Sequence, residues 1–409
     1  RQMCIRDSHI VSDLYFAIMY PLLPYIAITY QLNYTQTGLI KTVFDLGAAL
    51  TQLPAGIVSD RISEFWLIGG ANIWVGIGVI LMSFATTNVM FLGMSFITGI
   101  GGGVQHPVGA RFVSRGSDTK SLFTSIGILN FSGDLGKIIA PIIVAILVVS
   151  FGWQKCLLFV GITGIIVVIG SLLMSLSISR SPSSANDKQT PTKTKTSNLP
   201  PVIDSQFVVL MAAGFIDSMI RTATLTFIPF LFISKGMSTL RTTLIFTILY
   251  SGGAIGKFSS GWLSDRYNAF SIIFATKIVV SILLPIILIT NIPIGTVLVF
   301  LLGIGLNGTS SVLYGIVAQI TNSETRGKAY GIYYTSTEVG VAIAPILFGF
   351  IADTYSLNIS MIGISIVSLL VIILSKNIKT VSYTHLRAHE TLRYLVWPSR
   401  IEKKKWGGG

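Results

Sequence analysis

The sequence predicts an all-α integral membrane protein with twelve transmembrane helices, arranged as two six-helix pseudo-repeats. Of its 409 residues, 51% are hydrophobic and only 11% are charged, and the mean hydropathy is +0.74. A soluble protein needs far more charge to cover its surface. The second observation is an internal repeat, in which three pairs of residues are each separated by 204 positions: Asp13 and Asp217, Asp134 and Glu338, and Pro141 and Pro345.

Each predicted helix rests on an apolar run of about 20 residues, which is long enough to cross a bilayer. Strands of a membrane barrel would show weaker, alternating segments, so the pattern favours helices. The glycine-rich segments 99–103 and 303–308 lie inside such runs, and we interpret them as sites of close helix packing rather than nucleotide loops. The predicted helices cover approximately residues 9–30, 37–59, 66–85, 89–113, 122–149, 153–178, 207–233, 240–262, 270–290, 294–320, 329–352 and 359–375.

Both ends of the chain resemble translated adapter sequence from a tagmented DNA library. Residues 1–8 and 381–409 are therefore expected to be artefacts, and excluding them lowers the formal charge from +13 to +8. The remaining chain divides into an N-terminal six-helix bundle at 9–178, a polar Ser/Thr/Pro/Lys-rich linker at 179–205 and a C-terminal six-helix bundle at 206–380. Such a linker cannot bury apolar area and is expected to be flexible and cytoplasmic.

The positive charges between the predicted helices indicate the orientation. With a first helix that runs outward, thirteen Lys and Arg residues fall on the inside and three on the outside. The positive-inside rule then places both termini in the cytoplasm, in a bacterial-type inner membrane. These charges belong to membrane loops, so the high isoelectric point does not indicate nucleic-acid binding.

Acidic residues deep inside apolar runs are the main candidates for function, because a charge in the hydrocarbon core is costly and rare. Several have a cation at helical spacing, so a self-neutralised structural pair is the alternative interpretation. Lys41 and Asp45 form a shallower pair of this kind, whereas Lys257 and Lys277 are expected to reach the surface by snorkelling. His106 is interpreted either as a proton relay or as a packing residue. The predicted substrate or proton pathway comprises Asp13, His106, Asp134, Lys137, Asp217, Arg221 and Glu338.

A short motif occurs twice, at the predicted ends of the second and eighth helices: Gly56, Asp60 and Arg61, and again Gly261, Asp265 and Arg266. Together with the twelve helices and central linker, this motif resembles the major facilitator superfamily. The resemblance implies a gating role for the motif. His9 and Asp13 followed by Pro21-Leu-Leu-Pro24, with Gln105-His106-Pro107, are similar to the fosmidomycin-resistance-like branch. Ser95 stands where drug antiporters of the superfamily carry an arginine.

These observations predict a secondary transporter that works by alternating access, is coupled to protons and exports a small polar drug or metabolite. Proton-linked uptake of an organic anion is the first alternative, which an unpaired Arg221 would favour. A membrane sensor without transport is the second. No P-loop, metal-ligand spacing or nucleophile–base set indicates an enzyme, and no cofactor or metal is expected. The expected partners are a small solute, protons and the bilayer, and one chain supplies both halves, so a monomer is expected.

Overall fold

The computed structural model describes residues 2–59, 62–109, 122–179, 204–264, 266–321, 326–376 and 378, and nearly all of them are helical. The first half contains α1 Gln2–Ala17, α2 Met19–Tyr30, α3 Tyr34–Val58, α4 Glu64–Met82, α5 Asn88–Gly102 and α6 Leu122–Ser179. The second half contains α7 Ser205–Ser234, α8 Thr239–Ser264, α9 Ala269–Ile289, α10 Ile292–Ile320, α11 Arg326–Thr354 and α12 Leu357–Ser375.

These elements confirm the predicted all-α membrane fold. Eight stretches of the described helices are long and apolar enough to cross a membrane by length and composition alone. The long α6 contains two predicted spans, because Gly152 breaks it with a φ of 81° and a ψ of 166°. That conformation is open to glycine and strained for other residues, so the break falls where the sequence predicted a loop.

The first predicted span consists of α1 and α2, which are separated at Ile18. Pro21 has no amide proton to donate to the carbonyl of Ala17, so the helical ladder loses a bond at this point. Helix α1 already begins at Gln2, upstream of the predicted boundary at residue 9. The origin of the two chain ends in adapter sequence stays a prediction.

Among the described helices, two pairs make the most extensive contacts between the halves, α3 with α11 and α6 with α8, and we call these the α3–α11 seam and the α6–α8 seam. On the α3–α11 seam, Gly38 lies directly against the backbone carbonyl of Pro345. Inside each half, the predicted packing glycines have the same role, because Gly99 faces the carbonyl of Phe44 and Gly303 faces that of Leu249. Small residues allow the helix backbones to approach closely.

One end of the α3–α11 seam is closed by Asp353, in the last turn of α11. Its carboxylate accepts hydrogen bonds from the Tyr34 amide at 2.9 Å, and from the amide of Thr35 at 2.7 Å and the hydroxyl of Thr35. The first amides of a helix have no intrahelical acceptor, and a negative charge there is favourable. Asp353 therefore caps a helix of the opposite half. We call this end of the bundle, where α11 ends and α3 begins, the far end.

We expect Asp353→Ala to open the far end, because the first amides of α3 lose an acceptor worth about 0.5–2 kcal/mol. The reporter is a Thr37→Cys substitution in a background without Cys4 and Cys156, since Thr37 is fully buried in α3. Its reaction with a membrane-impermeant thiol reagent should accelerate. Asp204→Ala is the matched control, because Asp204 caps α7 of its own half through the Phe207 amide at 2.7 Å. Equal rates in the two variants would contradict a clamp between the halves.

Candidate functional site

Charged side chains are concentrated inside the bundle, near the two seams. Within the part of the chain that the structure describes, five acids and five bases lie inside the spans in buried or half-buried positions. The acids are Asp13, Asp45, Asp134, Asp217 and Glu338, and the bases are Lys41, Lys137, Arg221, Lys257 and Lys277. Charged groups withdrawn from water need partners, so their pairing decides which of them remain available for a solute.

A chain of ion pairs crosses the α6–α8 seam. Lys137 Nζ lies 2.9 Å from Asp13 Oδ2 and 3.4 Å from Asp134 Oδ1. Lys257 of α8 lies 2.6 Å from the same Asp134 oxygen, so Asp134 joins the first half to the second. The sequence predicted the Asp134–Lys137 pair but not its extension to Asp13. The expectation that Lys257 snorkels to the surface is wrong, because its ammonium group is held by this acid.

A second group of charges lies on α7 and α9. Asp217 forms an ion pair with Lys277, and both side chains are almost completely buried. The expectation that Lys277 snorkels is therefore wrong. Helical spacing predicted Arg221 as the partner of Asp217, yet its Nη1 is 3.9 Å from the acid, and its Nη2 donates to Ser218 Oγ at 3.2 Å. Because Lys277 takes the closer position, Arg221 is only weakly neutralised.

Lys41 and Asp45 of α3 form the predicted pair, and both side chains are fully buried. The ammonium group of Lys41 lies 4.8 Å from the centroid of the Tyr20 ring, 5.1 Å from that of Phe44 and 5.6 Å from that of Phe16. Ring faces attract cations, and this attraction is stronger in a desolvated site. Aromatic contacts and Asp45 together satisfy Lys41, which supports a structural role.

Glu338 of α11 differs from the other four acids. Among the described residues, no basic group lies within 4.0 Å of it. Gln52 of α3 faces its carboxylate across the α3–α11 seam, while Asp45, Lys41 and Arg221 are within electrostatic range. By the internal repeat, Glu338 corresponds to Asp134, which faces a lysine across its own seam. The two seams are thus built alike, except that an amide replaces the cation opposite Glu338.

Aromatic rings surround this region on the side of the second half. The Tyr314 centroid is 5.6 Å from that of Tyr333 and 5.1 Å from that of Tyr334. Tyr20, Tyr314 and Tyr333 are all within electrostatic range of the Arg221 guanidinium. Sequence reasoning missed these tyrosines, although Tyr333 and Tyr334 stand three and four positions after Tyr330 on the helix that carries Glu338.

His106 lies between the halves rather than against the glycines that precede it. Its ring stacks on Tyr334 of α11, with centroids 6.1 Å apart and an interplanar angle of 13°. On its other side is His9, whose ring centroid is 5.5 Å away. His9 was not among the predicted site residues, although its position four residues before Asp13 on one helix was a signal.

The predicted gating motif is described only in part. Asp60, Arg61 and Asp265 lie outside the described residues. Among the described residues, no atom lies within 4 Å of the position that a side chain at Gly56 or Gly261 would take. The Arg266 guanidinium lies 3.8 Å from the centroid of the exposed Trp262 ring.

Comparison with known proteins gives a consistent family. The model of the Major Facilitator Superfamily matches residues 8–295 and 210–390. A hexuronate transporter of Bacillus subtilis is 27% identical over 351 residues, covering 81% of this chain and 82% of the relative. An uncharacterized MFS-type transporter of Methanocaldococcus jannaschii is 23% identical over 342 residues, covering 81% and 86%.

More distant matches bear on the branch and the fold. The fosmidomycin resistance protein of Escherichia coli is 22% identical over 148 residues, or 36% of each chain, and this leaves the predicted branch open. A bacterial homologue of the lysosomal transporter Spinster, in an inward-facing and occupied conformation, has a TM-score of 0.76 at 14% identity, over 91% of this chain and 95% of that one. Because its described residues are almost all helical and the family model matches most of its length, the chain belongs to the Major Facilitator Superfamily of membrane transporters.

Proposed function

We propose that this protein transports a small anionic or zwitterionic solute by alternating access, with Arg221 as the anion-binding residue and Glu338 as the proton-carrying residue. The observation that carries the proposal is the pairing of the buried charges. Arg221 is the weakly neutralised base, and Glu338 is the acid without a cation within 4.0 Å among the described residues.

Arg221 suits a carboxylate or phosphonate group. A guanidinium offers two parallel donors to such a group and stays charged when it is partly desolvated. Its side chain is 19% exposed, against 0% for Lys277, so the arginine is the accessible cation of this group. The neighbouring tyrosines add hydroxyl donors and ring faces, which fit the polar and carbon parts of an organic acid.

Glu338 suits reversible protonation. A carboxylate between two halves that rock against each other is exposed to opposite sides of the membrane in turn. Each of the other four acids has a cation close by, whereas Gln52 can accompany Glu338 in either protonation state, because an amide both donates and accepts. A proton taken up on one side of the membrane can therefore be carried to the other.

The direction of transport stays a prediction. The sequence favours export of a small polar drug or metabolite, and the fosmidomycin resistance protein is consistent with a phosphonate drug. The names of the hexuronate transporter and of a rat monocarboxylate transporter, which is 21% identical over 356 residues, favour an organic acid. All three solute classes carry the negative charge that Arg221 requires.

Replacement of Arg221 tests the solute class. We expect Arg221→Gln to raise the KM for the transported anion by about tenfold or more, because a charge-assisted hydrogen bond contributes about 1.5–3 kcal/mol. The measurement is tracer flux in proteoliposomes, with glucuronate, lactate and fosmidomycin as probes. Arg241→Gln is the matched control, since Arg241 is exposed at the start of α8. If Arg221→Gln transports an anion with unchanged KM, the assigned binding residue is wrong.

Replacement of Glu338 separates binding from proton coupling. In Glu338→Gln, solute counterflow at equal pH should persist, whereas accumulation driven by a pH gradient should fall to the level of empty liposomes. Glu64→Gln serves as the matched control, because Glu64 lies at the start of α4, away from both seams. Proton flux in inverted vesicles of defined orientation gives the direction. Gradient-driven accumulation that survives in Glu338→Gln would rule out this residue as the proton carrier.

The bridge between Asp134 and Lys257 should set the rate of the conformational change, because the two halves must separate along this seam. Asp134→Asn and Lys257→Met should each lower the melting temperature of the purified protein, since each leaves a buried charge with fewer partners. The double variant should lose less than the sum of the two single variants. Additive losses would show that the pair does not couple the halves.

A further inference from the structure

Three side chains that commonly bind metals converge at one point, next to the ion-pair chain of the α6–α8 seam. His9 and Asp13 belong to α1, and His106 belongs to the helical segment 105–109. One potential ligand atom from each residue lies within 4.8 Å of the other two. Two imidazole nitrogens and one carboxylate oxygen form a donor set that Zn²⁺ takes in proteins.

The spacing of His9 and Asp13 is suited to shared coordination. Residues at i and i+4 project from one face of a helix, which is how helical zinc motifs present two ligands. Bonds of about 2.0–2.2 Å in a tetrahedral site place neighbouring ligand atoms roughly 3.4 Å apart. His9 Nε2 already lies 3.6 Å from Asp13 Oδ2. Gly133 of α6 leaves room at this point, since a Cβ there would meet both side chains.

His9 provides an independent indication of a missing ligand. The residue is only 2% exposed, and neither of its ring nitrogens has a hydrogen-bond partner in the part of the chain that the structure describes. A buried polar atom without a partner costs about 1–3 kcal/mol. A metal ion would satisfy one of the nitrogens and would bring the His106 ring toward the same point.

We propose that His9, Asp13 and His106 bind a divalent transition-metal ion of the Zn²⁺ class, in competition with the ammonium group of Lys137. Lys137 Nζ lies 2.9 Å from Asp13 Oδ2, the oxygen that faces His9. The ammonium group and a metal ion would therefore compete for this oxygen. Its side chain is 27% exposed, and Asp134 is a second partner at 3.4 Å. Lys137 can therefore leave Asp13 and still have an opposite charge beside its ammonium group.

Displacement of Lys137 links the metal to the contact between the halves. When the metal takes Asp13, Lys137 turns to Asp134, which then has two lysines competing for it. The bridge from Asp134 to Lys257 is weakened, and the α6–α8 seam opens more readily. The site does not depend on which solute the protein transports, because neither Arg221 nor Glu338 is one of its ligands, although His106 stacks on Tyr334 beside that region.

The experiment is Zn²⁺ titration of the purified full chain, carrying an affinity tag without histidine, by isothermal calorimetry, with Co²⁺ absorption as a spectroscopic readout. His9→Ala and His106→Ala should each weaken binding by about tenfold or more, and Lys137→Met should strengthen it, because the competing cation is gone. The matched control is His385→Ala with His389→Ala, which removes the two other histidines of the sequence.

The expected gain of Zn²⁺ affinity in Lys137→Met distinguishes the proposal from misfolding, because a misfolded protein would not bind Zn²⁺ more tightly at this site. Three results together would support the site. Lys137→Met should bind Zn²⁺ more tightly, and His9→Ala and His106→Ala should bind it more weakly. The variant without His385 and His389 should bind it as the unmodified protein does. Absence of Zn²⁺ binding by the unmodified protein would overturn it. Binding that disappears only in the His385 and His389 variant would also overturn it, since the tail would then hold the metal.

Discussion

Charge compensation inside the membrane is the constraint on which the rest of this structure depends. An unpaired charge in an environment of low polarity is costly enough to unfold a membrane domain or to be neutralised, so each ionised group must meet an opposite charge, a dipole or a ring face. Asp217 meets Lys277, and Asp45 meets Lys41, which is in turn surrounded by aromatic rings. These pairs fix helices α3, α7 and α9 relative to their neighbours.

The two seams solve the same problem differently, although they are related by the internal repeat. The α6–α8 seam holds its acid with a lysine from the opposite half, whereas the α3–α11 seam offers Glu338 an amide. A similar asymmetry occurs at the far end, where Asp353 caps α3. On the α6–α8 seam, the Thr247 hydroxyl donates a long hydrogen bond of 3.5 Å to the carbonyl of Ile138, one helical turn from Asp134. One seam thus carries the strong polar cap, and the other carries the salt bridge.

The sequence predicted the fold well because the signals for membrane helices are local. Run length gave the spans, including the two that meet at Gly152 in α6, and the repeat identified Asp134 and Glu338 as equivalent. Partners on other helices could not be predicted, because spacing along one helix shows only contacts within it. Arg221 was assigned to Asp217 on this ground, while the closer Lys277 comes from α9. Lys277 lies eight residues inside its helix, about 12 Å from the end. That depth was a signal against snorkelling.

The balance of charge inside the described spans has an electrical consequence. The five buried or half-buried acids and the five such bases of the site sum to zero when all are ionised. In the proposed mechanism, these ten groups together move no net charge through the membrane field, where each elementary charge is worth about 2.3 kcal/mol per 100 mV. Their contribution to the return of the empty carrier is then indifferent to the membrane potential, and one anion carried with one proton would add no net charge to it.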